Sequence, residues 1–528
     1  MILDEVNAVG ERLHRFPGGL RLRHHKQVAC QQPVERPPLP AVLVVPMRQQ
    51  AGPEATPVVS VGDPVLKGQL IGGDPSGLGA RVHAPSSGRV TAVEQRRIGH
   101  PTGQTGTCVV IKTDGLDEWP PTEPVPDWRE ACAVDLQAQI QAAGVVGLGG
   151  AVFPTDRKLD GGRAAGIHTV IINGAECEPW IACDEMLMRE HPRRVVTGTL
   201  VLMRAAGAEH GVIAIEDQMG AVGAALERAA VELGDDRVRV VRIPTIYPEG
   251  GERQLIQTLT GLEVPAGGLP QDLGILCQNV ATADAARAAV IDGQPLLERN
   301  VTVTGNGVAR PRVLRALLGT PVGELVTAAG GYTPGAARLV IGGPMMGYAL
   351  HDDSEPVVKA TNCVLVLDQA EIRPTQPEMP CIRCGECARV CPARLMPQDL
   401  QFFIRSGQLD SATDIGLEAC IECGCCDAVC PSHIPLAEWF RHGKAESRHQ
   451  ARERAFADRA RERHQAREAR LEQAKAEKAA RMARRKLKLV SDDERKRQVA
   501  RAIERAKAAR EKQAGAPPST PRDGEPDE

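Results

Sequence analysis

The sequence predicts a multidomain protein of mixed α/β and α+β type, and three observations carry that expectation. Residues 40–113 alternate apolar and polar positions in short runs between Gly, Pro and Asp turns, as strands do. From about residue 130, apolar strand-like runs alternate with helical ones, the pattern of βαβ units around a parallel sheet. Finally, the spacing C-x2-C-x2-C-x3-C-P occurs twice, at Cys381, Cys384, Cys387 and Cys391 and again at Cys420, Cys423, Cys426 and Cys430.

At 528 residues the chain can hold three or more domains, each with its own core. Aromatic residues are only 2% of it, so those cores must rest on Val, Leu, Ile and Ala. Eight of the sixteen cysteines lie in the two runs, and the others are scattered singly as small buried hydrophobes would be. That usage argues against a secreted disulfide framework and for a reducing compartment. No basic segment followed by an apolar one opens the sequence, and no apolar run reaches the ~18–20 residues of a membrane span. The expectation is a chain that is soluble or held at a membrane by partners. Its net charge of −3 conceals an asymmetry: residues 441–513 carry 25 Lys or Arg against 12 Asp or Glu.

Taken in order, residues 1–35 form a Gly-containing lead-in to which no chemistry is assigned, and His24 and His25 read as surface or packing residues. Residues 36–115 form the β domain. Its pairing of VGDPVLKGQLIG with VHAPSSGRV resembles the barrel-sandwich fold of biotinyl and lipoyl carriers, but no Lys stands where those carriers present theirs. A structural or docking role is expected.

Residues 130–275 form the α/β domain. Its opening turn, AGVVGLGGAVFPTDRK, places Gly144, Gly147, Gly149 and Gly150 where backbone N–H groups could approach a phosphate. Alone this is weak, since the spacing is not G-x-G-x-x-G and a plain tight turn would look the same. INGAECEP then sets Asn173, Glu176 and Glu178 just past a strand, where open α/β sheets bind ligands. YPEGGERQLI supplies Tyr247 and Glu252, and CQNVATA supplies Gln278, Asn279 and Thr282.

The doubled cysteine run is that of bacterial two-cluster ferredoxins, in which the fourth Cys of each run ligates the other cluster. One 4Fe-4S cluster is therefore assigned Cys381, Cys384, Cys387 and Cys430, and the second Cys420, Cys423, Cys426 and Cys391. Zinc suits C-x2-C pairs as well, but two complete four-cysteine runs, each closed by Pro, favour clusters. Cys425 lies off the register and is left without iron. Between the runs, Leu400, Phe403 and Ile404 have helical spacing ahead of a break at Gly407, so residues 370–440 are expected to be mostly helical.

In this order, GLGGAVFPTDRK, INGAECEP, YPEGGERQL, QNVATA and the two cysteine runs resemble the C subunits of the Rnf electron-transport complex. The flavin domain of that family is similar to the NADH-oxidising, FMN-binding subunit of respiratory complex I. The resemblance spans about residues 15–440. It implies a Rossmann-like flavin domain with FMN cradled by Gly147, Gly149, Gly150, Lys158, Asn173, Glu176, Gln278, Asn279 and Thr282, and NADH over it near Phe153, Glu178 and Glu252. It further implies a β-grasp (SLBB-like) domain at 276–355, whose turn Gly342, Gly343, Pro344 and Gly347 reads more simply as structural.

The implied activity is hydride exchange between NADH and FMN, then single-electron steps through two 4Fe-4S clusters. The setting is a peripheral subunit on the cytoplasmic side of the cell inner membrane, in a translocase that couples NADH and ferredoxin to ion movement. Other Rnf subunits are the implied partners, and ferredoxin an indirect one. The family usually has Gly after GGA, where this chain has Val152. Two alternatives stay open: a soluble reductase of a corrinoid or other acceptor, and an electron-wire subunit whose flavin site is vestigial. Residues 441–513 read as a solvated charged helix or as an arm for anionic lipid or an acidic partner. Nucleic acid is not expected, because aromatic platforms are absent. The tail 514–528 is expected to be disordered.

Overall fold

A computed structural model describes residues 9–73, 79–100, 102–372 and 376–514. All of the expected disordered tail except Ala514 lies outside the described residues, as do the first eight residues of the lead-in. The chain divides into two units, residues 1–444 and 445–528.

The first unit opens with the β domain. Its strands are β1 (Val42–Pro46), β2 (Thr56–Pro57), β3 (Pro64–Val65), β4 (Leu70–Gly73), β5 (Val82–His83), β6 (Gly88–Arg97) and β7 (Thr105–Thr113). They form two antiparallel sheets, ordered β1-β7-β6-β3 and β2-β4-β5. Alternate inward residues such as Leu43, Val45, Ile71, Val109 and Ile111 fill the space between them. The Ala-Pro-x-x-Gly segment of that carrier-like pattern, residues 84–88, is sealed at its centre: Ser86 and Ser87 are buried, donating to Asp117 Oδ1 (2.8 Å) and Asp114 Oδ1 (2.7 Å).

The α/β domain follows: α1 (Ala133–Ala142), α2 (Thr155–Ala165), β8 (Thr169–Gly174), α3 (Cys183–Glu190), α4 (Pro192–Ala206), β9 (His210–Glu216), α5 (Gly220–Leu233), β10 (Val238–Ile243), α6 (Glu252–Thr260), β11 (Ile275–Asn279) and α7 (Val280–Ile291). Its sheet is wholly parallel, in the order β10-β9-β8-β11. Both faces are covered, which is why TVIING and GVIAIE are continuous apolar runs. Val170, Ile172, Ile213 and Ile215 join one core with α1, α4, α5 and α7, while Ile171, Val212 and Ala214 join the other with α6. Helices α4 and α7 approach so closely that a side chain at Gly198 would strike the Ala283 carbonyl. Because β11 pairs in register with β8, the boundary expected at 275/276 cuts a strand; the sheet needs β11, and α7 packs on α4.

The next domain holds β12 (Glu298–Thr304), β13 (Arg312–Leu317), α8 (Val322–Ala328), β14 (Ala336–Ile341), β15 (Tyr348–Ala349) and β16 (Cys363–Asp368). These make a mixed five-stranded sheet, β13-β12-β16-β14-β15, under α8. The end expected at residue 355 is also too early, since β16 is the central strand and pairs parallel with β12 and antiparallel with β14.

The cysteine module carries α9 (Glu386–Arg389), α10 (Pro397–Arg405), α11 (Leu409–Asp414), α12 (Cys425–Ala428) and the start of α13 (Leu436–Ala514). Gly407 has φ 71 and separates α10 from α11. Leu400, Ile404, Leu409, Leu417, Leu436 and Phe440 make its small core. The part of α13 beyond Lys444 is the second unit, and from residue 451 its side chains are almost all exposed.

Candidate redox site

The loops that the sequence singled out converge at the C-terminal edge of the parallel sheet, where ligands bind in open α/β folds. The Gly-rich loop is closed on itself. Gly147 N–H donates to the Phe153 carbonyl (2.8 Å) and Val152 N–H to the Gly147 carbonyl (3.0 Å), leaving Gly149, Gly150 and Ala151 exposed at the tip. Thr282, at the start of α7, holds the loop from behind: its Oγ1 accepts from Leu148 N–H (2.8 Å) and donates to the Val146 carbonyl (3.4 Å). Gly150 has φ 112, which favours Gly, and open space lies on its Cβ side.

Asn173 ties two loops together, donating to the Gly250 carbonyl (2.9 Å) and accepting from Ala175 N–H (3.0 Å). Lys158 pairs with Glu252 and donates to the Cys277 carbonyl (2.7 Å), so it links α2 to the N-terminus of α6. Asn279 caps α7 through Ala281 N–H (2.8 Å) and donates to Asp184 Oδ2 (2.6 Å). Asp184 is lifted to about 7, chiefly by burial and then by the Glu176 carboxylate. Gln278 is 4% exposed and its Nε2 has no partner among the described residues. A buried amide left donating to nothing fits a site that receives a polar ligand. With the open Gly150 tip, it fits a polar, phosphate-bearing ligand such as FMN.

Glu176 sits deeper than the sequence suggested. Its Oε1 accepts from Asp184 N–H (3.0 Å) and Cys183 Sγ (3.3 Å), and its Oε2 from Glu185 N–H (3.2 Å), so it caps α3. Lys26, 4% exposed, lies 3.6 Å from Glu176 Oε2 and 3.7 Å from Glu216 Oε2, and its ammonium also donates to the Glu176 carbonyl. Burial opposes the Lys26 charge, but the two carboxylates outweigh it and hold the amine protonated. Sequence reasoning missed Lys26, which comes from the lead-in 150 residues away; His25 beside it stacks on Trp180 at 4.5 Å. In the sequence it is one cation among several in LRLRHHK, and spacing does not single it out.

Glu178, expected near NADH, spends Oε1 on Met345 N–H (2.7 Å) and Met346 N–H (3.1 Å) of the Gly342–Gly347 turn, and a side chain at Gly343 would collide with it. Phe153 is 48% exposed beside the glycine tip rather than buried in a core. Val152 has φ 44, a conformation that costs a β-branched residue about 1–2 kcal/mol. Both its backbone groups are bonded, the carbonyl accepting from Ala51 N–H (3.0 Å), and any residue supplies those bonds. Val152→Gly is therefore expected to leave flavin occupancy unchanged and to hold or raise the melting temperature, read by calorimetry and flavin absorbance. A large gain in occupancy would mean that the valine cripples the loop.

The cysteines gather at two separate cavities. Cys381, Cys384, Cys387 and Cys430 line one, and Cys391, Cys420, Cys423 and Cys426 line the other. The two runs repeat at a spacing of 39 residues, and so does their backbone: left-handed residues fall at Arg383 and Glu422, Gly385 and Gly424, Arg394 and His433. Backbone N–H groups of Arg383, Leu395 and Glu422 lie 3.4 Å from the sulfurs of Cys381, Cys391 and Cys420, bonds that tune a cluster's potential. Cys425, 1% exposed, also lines the second cavity. Cys381 and Cys384 are exposed, whereas Cys423 and Cys426 are buried.

The second run packs directly on the flavin-domain loops. Tyr247 Oη donates to the Cys423 carbonyl (2.6 Å), and Cys177, Tyr247, Cys423 and Cys425 share one apolar cluster; the first run instead meets the lead-in, where Gly19 N–H donates to the Val390 carbonyl (3.0 Å).

Comparison with known proteins matches this architecture part by part. Residues 14–116 match the RnfC barrel sandwich hybrid domain, 140–287 the Nuo51 FMN-binding domain, 300–349 the SLBB domain and 380–434 the 4Fe-4S dicluster domain. The C subunit of the ion-translocating oxidoreductase complex of Rhodobacter capsulatus is 43% identical over 429 residues, 81% of this chain and 82% of that protein. This chain belongs to the RnfC family. The RnfC relative from Pseudomonas aeruginosa is 46% identical over 468 residues, covering 89% of this chain and 60% of the relative, and that from Vibrio cholerae is 40% identical over 507, covering 94% and 64%. The chain thus spans about three fifths of the length of several RnfC relatives that it matches. Those relatives are described as the C subunit of an ion-translocating oxidoreductase complex; this chain shares their FMN-binding and 4Fe-4S dicluster domains. Among the described residues of this RnfC chain, no helix is long and apolar enough to cross a membrane.

Proposed function

We propose that this RnfC chain carries electrons between NADH and the other subunits of an ion-translocating complex, on the cytoplasmic side of the inner membrane. FMN, when bound, exchanges a two-electron hydride for single electrons, which is all that a 4Fe-4S cluster accepts. Gly147, Gly149, Gly150, Lys158, Asn173, Gln278, Asn279 and Thr282 hold and orient it, Glu176 from below through α3. Exposed Phe153 offers its face to a nicotinamide or adenine, and Glu252, paired with Lys158, is the acid assigned to the NADH side. Glu178 braces the site against the Gly342–Gly347 turn. Tyr247 and its apolar neighbours keep water from the seam between the flavin loops and the second cysteine run.

That seam is the observation that carries the reading. It supports Cys391, Cys420, Cys423 and Cys426 as the cluster nearer the flavin loops, with the partly exposed group of Cys381, Cys384, Cys387 and Cys430 passing electrons to the partner subunits and so to ferredoxin. The test is anaerobic reconstitution of the chain with iron, sulfide and FMN, followed by visible and EPR spectra before and after NADH. About one flavin and two clusters, all bleached by NADH, are expected. Clusters that form without flavin and ignore NADH would make the chain an electron wire instead.

A further inference from the structure

The basic surplus of the second unit is not spread along α13. Residues 445–477 nearly balance, nine cations to seven acids, whereas the thirteen residues 478–490 carry six cations and no acid, and Asp492, Asp493 and Glu494 close the stretch. Four large apolar side chains stand in the same stretch and are exposed: Met482 57%, Leu487 70%, Leu489 61% and Val490 61%. At roughly 100° per residue, Arg481, Arg484, Arg485 and Lys488 fall on one side, and Met482, Leu487, Leu489 and Val490 on the other. Arg484 and Arg485 stand at the two boundaries of the apolar side. Lys486 interrupts it and Lys478 falls just inside the Arg485 boundary, and a lysine can bury its stem while its ammonium snorkels outward.

We propose that residues 478–490 are a membrane-surface site of this chain, whose ligand is the anionic phospholipid headgroup region of a bilayer. Such a helix lies in the interface with its apolar side among acyl chains and its cations on lipid phosphates. Nucleic acid would account for the cations but leave Leu487, Leu489 and Val490 uncovered. A coiled-coil partner would need a heptad seam, yet the positions seven residues before Met482 and seven after Leu489 are Lys475 and Lys496. The site adds a lipid contact of the chain's own to whatever its partner subunits provide, and it is independent of the electron path.

Flotation of the full 528-residue chain with vesicles tests it, comparing pure phosphatidylcholine with vesicles containing about 30 mol% phosphatidylglycerol. The chain should float with anionic vesicles and not with neutral ones. At about 1 kcal/mol per cation, the triple variant Arg484→Gln/Arg485→Gln/Lys488→Gln should partition on the order of a hundredfold less. Leu487→Asp/Leu489→Asp should not float, and Leu487→Ala/Leu489→Ala, which keeps helix propensity, should partition measurably less. Circular dichroism confirms the helix in each variant, and NADH bleaching in the same samples separates a failure here from a failure of the electron path. Absence of flotation with anionic vesicles would overturn the proposal. So would undiminished flotation of the aspartate variant, since binding by charge alone points to an acidic protein or nucleic acid.

Discussion

Cys391→Ser is expected to remove the cluster of the second cysteine run, not that of its own. Cys391 shares a cavity with Cys420, Cys423 and Cys426, whereas Cys381, Cys384 and Cys387 share theirs with Cys430. The cause is chain direction: after three closely spaced thiols on a loop, a short helix carries the fourth across to the opposite site. Iron should fall from about eight to about four per chain, and the EPR signal that survives should be that of the exposed, first-run cluster. Cys430→Ser should give the complementary loss. Cys425 lines the second cavity and is a spare thiol there, so Cys391→Ser/Cys425→Ser is the stricter variant. Loss confined to the first-run cluster in Cys391→Ser would show that each run builds its own cluster.

Lys26→Met should be the most destabilising single change away from the clusters. It leaves the Glu176 and Glu216 carboxylates, both buried, without their shared cation. Removing one partner of a buried ion pair costs about 3–5 kcal/mol, because the remaining charge is neither hydrated nor paired. Since Glu176 caps α3, and α3 carries Asp184 against Asn279, flavin retention should fall as well. Urea unfolding reads the first effect and FMN fluorescence after gel filtration the second. Glu216→Gln in the same chain should restore part of the stability by removing one stranded charge. If Lys26→Met unfolds at the same urea concentration and keeps its flavin, the buried pair is not what holds the site.

The sequence made the chemistry of the site legible because that chemistry is local. Cluster ligands two and three residues apart, a glycine loop, and strand-end words such as INGAECEP and QNVATA each lie within a dozen residues, so spacing alone exposes them. Strand periodicity revealed the α/β domain for the same reason: side chains buried on both faces of a parallel sheet must be apolar without a break. Where the domains end was less legible. Strand β11 straddles the expected boundary at 275 and β16 lies beyond that at 355, because a strand's membership is decided by the neighbour it pairs with and not by its own residues.

By itself, then, the sequence determined the FMN-binding and 4Fe-4S dicluster domains and the order of the parts. Only the tertiary structure decided that Lys26 neutralises Glu176, that Glu178 braces the Gly342–Gly347 turn, and that the second cysteine run, through Tyr247 and Cys423, meets the flavin loops. Those pairings join residues about 150 to 180 positions apart. Burial and charge pairing choose such partners in space, and no spacing along the chain records the choice.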